Sequence, residues 1–360
     1  MNSKDSLTKR ERIERTFAFE PVDRVAVHDF IYNRDVHALY ADGGQGDMHQ
    51  TVRAALDLWR PMDAISSIGS GEGFEAEYDG EWTSWVKRRP FEDTAGLKEY
   101  IARDIDHIRK RTAAFDGAQA RDAHRSALLG HIHGVGDDTV MMELDNTPLR
   151  DCLWRAGIEL FSFLLHEDPD VIRDWLDAYL DHQLLVTDAL ADRELSPVVL
   201  VANEICSSAA PLLGPEMLDR FLFADIAPIT EAWHRHGVKT IMEIQGNSRD
   251  LVPHFIANGA DGFYAIEAIA NMDIVELKNQ YPQSIWIGGV DGANLMTFDT
   301  AEQVADEVRR EIVETDALNT GGLVIASSSE INPPIPSENF KAMVDAAWCL
   351  RNRQSAAGDP

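Results

Sequence analysis

Short apolar segments with strand character recur eight times along this chain, and helical patterns separate most of them. Strands that alternate with helices form parallel sheets. Eight such units within 360 residues predict an α/β protein with a (β/α)8 TIM barrel. A doubly wound open sheet is the alternative, but no Gly-rich dinucleotide fingerprint follows the first strand. The predicted strands lie near residues 25–30, 63–66, 127–132, 197–203, 239–243, 261–266, 285–290 and 322–326.

Two additions to the barrel are expected. A charged amphipathic helix from Ser6 to Phe19 precedes the first strand, and alternating residues from Phe74 to Val86 predict an inserted β-hairpin after the second. No linker rich in Pro, Gly or Ser divides the chain. We therefore expect a single domain over residues 1–350 and a disordered tail over residues 351–360.

Composition excludes several classes of partner. The net charge is −28, and such an acidic chain repels nucleic acid and anionic lipid. No segment approaches the roughly 20 apolar residues of a membrane span. Three widely spaced cysteines without a CxxC pair argue against a disulfide framework and for a reducing cytoplasm.

The predicted strand ends carry an unusual set of ionisable side chains. Active sites of such barrels lie at the C-terminal ends of the strands, where Glu204, Glu243 and Glu267 would meet. Carboxylates so close together need a cation among them or a raised pKa on at least one. We predict these three glutamates as catalytic. The predicted substrate-binding residues are Asp29, Trp82, Trp85, His131, Asn203, Gln245, Asp291 and Glu330.

Structural explanations exist for the same residues. Any one of the glutamates could interact with the dipole of the helix that follows it. His131 and His133 flank Ile132, so they share one face of the predicted strand, and that face lines the barrel only if Ile132 packs outward. Cys206 could be a small buried apolar residue or, together with Glu243 and Glu267, a ligand of a metal such as zinc.

Several motifs in combination resemble the uroporphyrinogen decarboxylase superfamily, over nearly the whole chain. The family fold is a distorted (β/α)8 barrel with its site at the C-terminal mouth, which agrees with the strand pattern. The motifs are Arg10-Glu-Arg-Ile-Glu-Arg-Thr-Phe17, Glu20-Pro-Val-Asp-Arg-Val-Ala-Val27, His236-Gly-Val-Lys-Thr-Ile241, Gly246-Asn247, Gly288-Gly-Val-Asp291 and Pro333-Pro-Ile-Pro-Ser-Glu-Asn-Phe-Lys-Ala-Met343.

Departures from the family pattern indicate a branch. True decarboxylases carry Arg-Gln-Ala-Gly-Arg after the first strand, where this chain has only Arg34. Thiol-methylating relatives bind zinc through a His-x-Cys-Gly motif and a later Cys, where this chain has Glu243, Gln245 and Ser329. Soft thiolate ligands are thus replaced by harder groups. The resemblance that remains implies a corrinoid-dependent methyltransferase.

The expected reaction is O-demethylation. The resemblance implies that a methyl group moves from a small-molecule donor, an aryl methyl ether, to the cobalt of a corrinoid carried by a partner protein. A glutamate of raised pKa would protonate the leaving oxygen, or a metal would polarise it. The alternatives are a cofactor-free decarboxylase of a small or tetrapyrrole carboxylic acid, which an acidic mouth disfavours, and a non-catalytic ligand-binding protein.

Overall fold

A parallel barrel forms the centre of the molecule. The computed structural model describes residues 5–41, 47–61, 73–79 and 83–352. Eight of its strands are hydrogen-bonded in the order β1-β10-β9-β8-β7-β6-β5-β2, and a parallel bridge between His28 and Leu58 brings the two ends together. The predicted (β/α)8 fold is confirmed. The strands are β1 (Ala26–Val27), β2 (Leu58–Trp59), β3 (Glu75–Asp79), β4 (Thr83–Arg88), β5 (Val140–Asn146), β6 (Val198–Ala202), β7 (Lys239–Glu243), β8 (Gly262–Ile266), β9 (Ile285–Val290) and β10 (Leu323–Ser327).

Helices surround this barrel, and the antiparallel hairpin of β3 and β4 stands apart from it as the sequence predicts. The helices are α1 (Lys9–Phe17), α2 (Arg34–Leu39), α3 (Met48–Ala55), α4 (Thr94–Ala113), α5 (Gly117–Val135), α6 (Pro148–Ala156), α7 (Ile158–Glu167), α8 (Pro169–Leu190), α9 (Pro215–Leu218), α10 (Ala224–Arg235), α11 (Val252–Ala257), α12 (Ile274–Gln280), α13 (Leu295–Phe298), α14 (Ala301–Glu314), α15 (Ala317–Thr320) and α16 (Ser337–Cys349). None of the helices in the described ranges is long and apolar enough to cross a membrane.

Two apolar clusters follow from the two faces of the strands. Alternate strand residues such as Leu200, Ile241 and Ile287 fill the barrel lumen, whereas Met242 and Phe263 pack outward against the helices. This division is what alternation along a strand produces in a barrel. Helix α1 begins with a capping box between Thr8 and Glu11, and its Ile13 and Phe17 join the lumen cluster, so it covers the bottom of the barrel.

The predicted strand at residues 127–132 is wrong. These residues lie inside α5, and the third barrel strand is β5, which starts at Val140. The apolar run that contains Leu128 and Val135 fits a helix, because those two residues are both buried and seven positions apart. A short apolar run cannot be assigned to helix or strand by periodicity alone.

The second barrel strand also begins earlier than predicted. It is Leu58–Trp59, and the helix before it, α3, ends at Ala55. The predicted strand at residues 63–66 lies outside the described residues. After β5, helices α6 and α7 are separated at Gly157, which has a φ of 80°, a backbone conformation that favours glycine.

At the C-terminus, the first two residues of the predicted tail contact the barrel domain. Arg351 forms an ion pair with Asp5 at 2.5 Å. The Nδ2 of Asn352 donates to the carbonyl oxygen of Leu318 at 3.0 Å. Residues 353–360 lie outside the described residues.

Candidate active site at the barrel mouth

The C-terminal ends of β6, β7 and β8 bring the three predicted catalytic glutamates to one mouth. Glu204 follows β6, Glu243 is the last residue of β7 and Glu267 follows β8. In the parallel register Glu243 lies beside Ala202 and Tyr264. Tyr264 belongs to the lumen cluster, so Glu243 faces the inside of the barrel at its upper edge. Glu330, after β10, is also partly buried here.

Glu204 is anchored by two donors from α6. Its Oε1 accepts from Nη2 of Arg150 at 3.0 Å, and its Oε2 accepts from Nε1 of Trp154 at 2.5 Å. The backbone of Glu204 has a φ of 46°, which non-glycine residues adopt rarely and at a cost of about 1–3 kcal/mol. A strained residue whose carboxylate is held from two sides is a common feature of functional sites.

Glu243 is a carboxyl group of the mouth that can hold a proton near neutral pH. Burial first and the negative charge of Glu204 second raise its pKa to about 7, against the opposing effects of Arg150 and the amide of Gln245. Nε2 of Gln245 donates to Oε1 of Glu243 at 3.0 Å. Since Gln245 occupies only one oxygen, the other carboxyl oxygen can carry and donate the proton.

Glu267 and Glu330 extend the acidic set. Burial raises the pKa of both, with Asp291 adding to the effect at Glu267 and Glu204 at Glu330. Oε2 of Glu267 accepts from the backbone N–H of Gly246 at 2.7 Å, which joins the end of β8 to the turn after β7. Asp291 itself accepts from the backbone N–H groups of residues 293 and 294, so its carboxylate orders the turn after β9.

Two predicted substrate-binding residues are buried supports of the mouth. The carboxyl group of Asp29 accepts from the backbone N–H of Ser327 at 3.0 Å and from its hydroxyl at 2.8 Å. It thereby links β1 to β10, and burial raises its pKa to about 7. Nδ2 of Asn203 donates to the carbonyl oxygens of Val201 at 3.0 Å and Glu243 at 3.2 Å. Both side chains are fully buried, so they position the strand ends rather than face the cavity.

A cavity of about 490 Å³ opens beside Glu204. Glu204, Gln245 and Cys206 form its polar side. Arg89 also lines it, and the rest of the lining is mostly apolar, with three side chains also exposed at the rim: Trp154, Ile158 and Leu212. Such a site, mostly apolar with a few convergent polar groups, is typical of small-molecule pockets.

The sequence did not reveal the cations of the mouth. Arg60 follows β2 and lies 4.9 Å from the ring centroid of Phe30, where it lowers the pKa of Glu330. Arg150 starts α6 and pairs with Glu204. Arg60 directly follows β2 and Arg150 lies in the first turn of the helix after β5; the sequence analysis misplaced both strands, so no predicted strand end pointed to these residues. Correct placement of β2 and β5 would have revealed both.

The remaining predicted site residues lie elsewhere. His131 is on α5, where its ring packs edge-on against Trp59 with centroids 5.9 Å apart. Because α5 leads to the start of β5, His131 lies toward the opposite end of the barrel from the mouth. Trp85 is 58% exposed on β4, and no contact with the glutamates is seen. Trp82 lies outside the described residues.

The donor set at the mouth does not fit zinc. Burial raises the pKa of the Cys206 thiol to about 11, which disfavours the thiolate that binds metal. Gln245 supplies a neutral amide that is bound to Glu243. Among the residues that the structure describes, no three His, Cys, Asp or Glu side chains are grouped to hold a metal ion. Glu243, Glu267 and Cys206 therefore do not form such a group, and we derive no chemical step through a metal.

Comparisons with known proteins agree with this architecture. A family model described as Uroporphyrinogen decarboxylase (URO-D) matches residues 155–348, more than half of the chain. A solved methyltransferase from Methanosarcina mazei is 16% identical and covers 95% of this chain and 98% of its own, with a TM-score of 0.69. At that identity the likeness shows the fold alone.

Two further comparisons carry less information. A D-psicose 3-epimerase solved in the presence of D-fructose is 12% identical and covers 70% of this chain and 90% of its own. Its TM-score of 0.31 is too low to support an argument. A search of curated protein sequences gave no match.

Proposed function

This chain belongs to the uroporphyrinogen decarboxylase (URO-D) family, and we propose that it is a methyltransferase that demethylates an aryl methyl ether. The methyl group would pass to a corrinoid carried by a separate partner protein, which is thus the second substrate. The fold shared with a methyltransferase supports this branch of the family, as does the loss of the arginine motif that true decarboxylases carry.

The observation that carries the proposal is the pairing of a protonatable Glu243 with an apolar-walled cavity. The reaction must convert a poor leaving group into a neutral phenol, whose pKa is about 10 by comparison with tyrosine. A carboxyl group with a pKa of about 7 is well matched to donate that proton near neutral pH. Gln245 lines the cavity and donates a hydrogen bond to Glu243, which supports a position for the acid beside a bound ether.

The bond changes follow from these positions. The partner's reduced corrinoid supplies the nucleophile that accepts the methyl carbon. As the methyl carbon–oxygen bond breaks, its electron pair stays on the ether oxygen, which takes the proton from Glu243. Glu243 is left as a carboxylate, and Arg150, whose charge already acts on Glu243, stabilises it. The carboxylate then regains a proton from solvent before the next turnover.

The walls of the cavity would hold the aromatic ring. Leu153, Trp154 and Leu212 supply apolar surface, and Trp154 is fixed by its hydrogen bond to Glu204. Exposed apolar side chains after other strands, Ile269 and Phe298, continue the rim. Large exposed apolar surface often marks a protein interaction site, which a partner that delivers its cofactor to the mouth requires.

The experiment is a methyl-transfer assay. Purified protein is mixed with a reduced corrinoid protein and each member of a panel of aryl methyl ethers, and the absorption spectrum of the methylated corrinoid is followed. The expected result is methylation that needs both the ether and this protein. Failure with every donor and every corrinoid protein encoded near this gene would refute the proposal.

One observation favours a second candidate, a decarboxylase of a small carboxylic acid. Such an enzyme needs cations to bind carboxylates, and Arg60 and Arg150 lie at the mouth. Arg150 is however paired with Glu204 at 3.0 Å, and Arg60 stands near Glu330, so carboxylates already occupy the neighbourhood of both. Release of carbon dioxide without any corrinoid protein would favour this candidate over the methyltransferase.

A further inference from the structure

A second cavity, larger than the one at the mouth, lies between the outer helices. Its volume is about 760 Å³, and α4, α6 and α8 supply most of its lining. The two cavities are lined by neighbouring residues of the chain. Arg89 and Trp154 line the mouth cavity, and the next residues, Pro90 and Arg155, line this outer cavity. The outer cavity is therefore adjacent to the proposed active site but built from different side chains.

Cations dominate the lining of the outer cavity. Arg103, His107 and Arg111 follow one another at intervals of four residues on α4, so they project from one face of that helix. Arg155 from α6 joins them, with its guanidinium 5.8 Å from the ring centroid of Tyr179. In a chain with 61 acidic and 33 basic residues, such a concentration of arginines is unexpected.

Two of these arginines, Arg103 and Arg111, lack the carboxylate partners that neutralise other cations in the described part of the protein. Lys110, on the same helix, pairs with Asp106 at 2.6 Å. In the described part of the chain neither Arg103 nor Arg111 pairs with a carboxylate, and the contact of Arg111 is the ring of His182 at 3.4 Å.

Asp104 is the carboxylate of the cavity lining. Its Oδ2 accepts from Nε1 of Trp175 at 2.8 Å and from the hydroxyl of Tyr179 at 2.9 Å. Asp104 carries one negative charge against the three guanidinium groups of the lining, so it compensates them only in part and the cavity keeps a positive potential.

The cavity also has an aromatic and apolar side. Phe74, Tyr100, Ile108 and Tyr179 line it. A neighbouring cavity of about 450 Å³ shares Arg111 and Arg155 but contains several acidic side chains, namely Glu143, Asp145 and Asp151. The end of the cavity formed by Arg103 and His107 lies away from those acids and is the more favourable for an anionic group, while Arg111 supplies a second positive charge one turn further along α4.

We propose that the outer cavity binds a small molecule with two or more anionic groups on an aromatic or apolar body. Arginine side chains bind phosphate, sulfonate and carboxylate groups through charge-assisted hydrogen bonds. The aromatic wall contacts the body, and Arg103 and Arg111 hold the anionic groups. This site is separate from the methyl-transfer reaction and stands whether or not that proposal holds.

The test is isothermal titration calorimetry of the whole protein with naphthalene-1,5-disulfonate, an aromatic ring with two fixed anionic groups. We expect saturable binding at one site that weakens as salt is added. In the double variant Arg103→Gln with Arg111→Gln, the dissociation constant should rise at least about tenfold, because the variant removes two charge-assisted hydrogen bonds to the anionic groups.

A matched control removes two charges from the same helix outside the cavity. Arg109→Gln with Lys110→Gln changes the net charge equally, and neither residue lines the cavity. Its dissociation constant should stay within about twofold of the wild-type value, as expected for screened surface charges. Absence of binding to the wild-type protein, or equal weakening in the two double variants, would overturn the proposal.

Discussion

Charged residues cluster at both ends of the barrel, but the clusters differ in their balance of charge. Positive and negative groups are paired at the bottom, whereas acids outnumber cations at the mouth. At the bottom, fully buried Arg12 and Arg24 both pair with Asp57, at 2.8 and 2.6 Å, and Arg12 also pairs with Asp23 at 2.8 Å. At the mouth, Glu204, Glu243 and Glu330 face the cations Arg60 and Arg150.

The pKa values record this difference. Burial alone raises the pKa of Asp23, but the Arg12 guanidinium outweighs it and holds that pKa below its ordinary value. At Glu243, burial and the neighbouring Glu204 outweigh Arg150 and raise the pKa to about 7. Matched charges hold a structure together, whereas an excess of one sign leaves a group that can exchange a proton.

The largest effect on stability is expected from the bottom cluster. Asp57→Asn should lower the free energy of unfolding by about 3–5 kcal/mol, because it leaves two buried guanidinium groups without their charge partner. Urea denaturation of the variant and the wild-type protein measures this change in the free energy of unfolding. Asp345→Asn breaks an exposed pair with Lys341 and serves as the control, with an expected change below about 0.5 kcal/mol. Similar values for the two variants would show that the bottom cluster is not a structural element.

The largest effect on activity is expected at the mouth. Glu243→Gln should reduce methyl transfer about 10²- to 10⁴-fold, since the amide cannot protonate the leaving oxygen, while the protein stays folded. Glu231→Gln, an exposed residue on α10, makes the same charge change and should leave the rate unaltered. Initial rates with a saturating donor give the comparison. An active Glu243→Gln variant would remove Glu243 from the mechanism.

Opposite pH dependences should distinguish the clusters. The stability contributed by Glu243, whose folded pKa is raised, is full below about pH 4.5 and is lost as the pH rises through about 7. The contribution of Asp23, whose folded pKa is lowered, is present above its ordinary pKa and is lost as the pH falls.

Denaturation measured from pH 3 to 9 therefore tests both pH dependences, the loss of stability from Glu243 as the pH rises and from Asp23 as the pH falls. Relative to wild type, Glu243→Gln should gain stability above pH 7, on the order of 1–3 kcal/mol. Asp23→Asn should be less stable than the wild-type protein near neutral pH, and this difference in stability should disappear only in acid. The same pH trend in both variants would contradict the comparison.

A smaller effect is expected from the support of Glu204. Trp154→Phe keeps an aromatic wall but removes the N–H that donates to Glu204 at 2.5 Å. Loss of one hydrogen bond to a charged group costs about 1.5–3 kcal/mol, so kcat/KM should fall about tenfold. Trp85→Phe, on the exposed hairpin, is the matched control and should have little effect. Equal rates for the two variants would separate Trp154 from the site.

The second half of the barrel is the part that the sequence describes well. Strands β6 to β10 lie within two residues of their predicted bounds, because each is a run of five or six mostly apolar residues flanked by helical patterns. Glu204, Glu243 and Glu267 were located through those strand ends. In the first half, β1 and β2 have only two residues each, too few for a periodic pattern.

Chain order and apolar spacing therefore determined the class of fold and the three mouth glutamates, and the resemblance of motifs indicated the family. Only the tertiary structure determined which charged groups lie beside one another and which have their hydrogen bonds satisfied. Arg150 reaches Glu204 across 54 positions, and Asp29 reaches Ser327 across 298. Burial and neighbouring charge set a pKa, and both depend on contacts between residues distant in sequence. For this reason the sequence alone did not predict the raised pKa of Glu243 or the positive outer cavity, and both are apparent only in the folded structure.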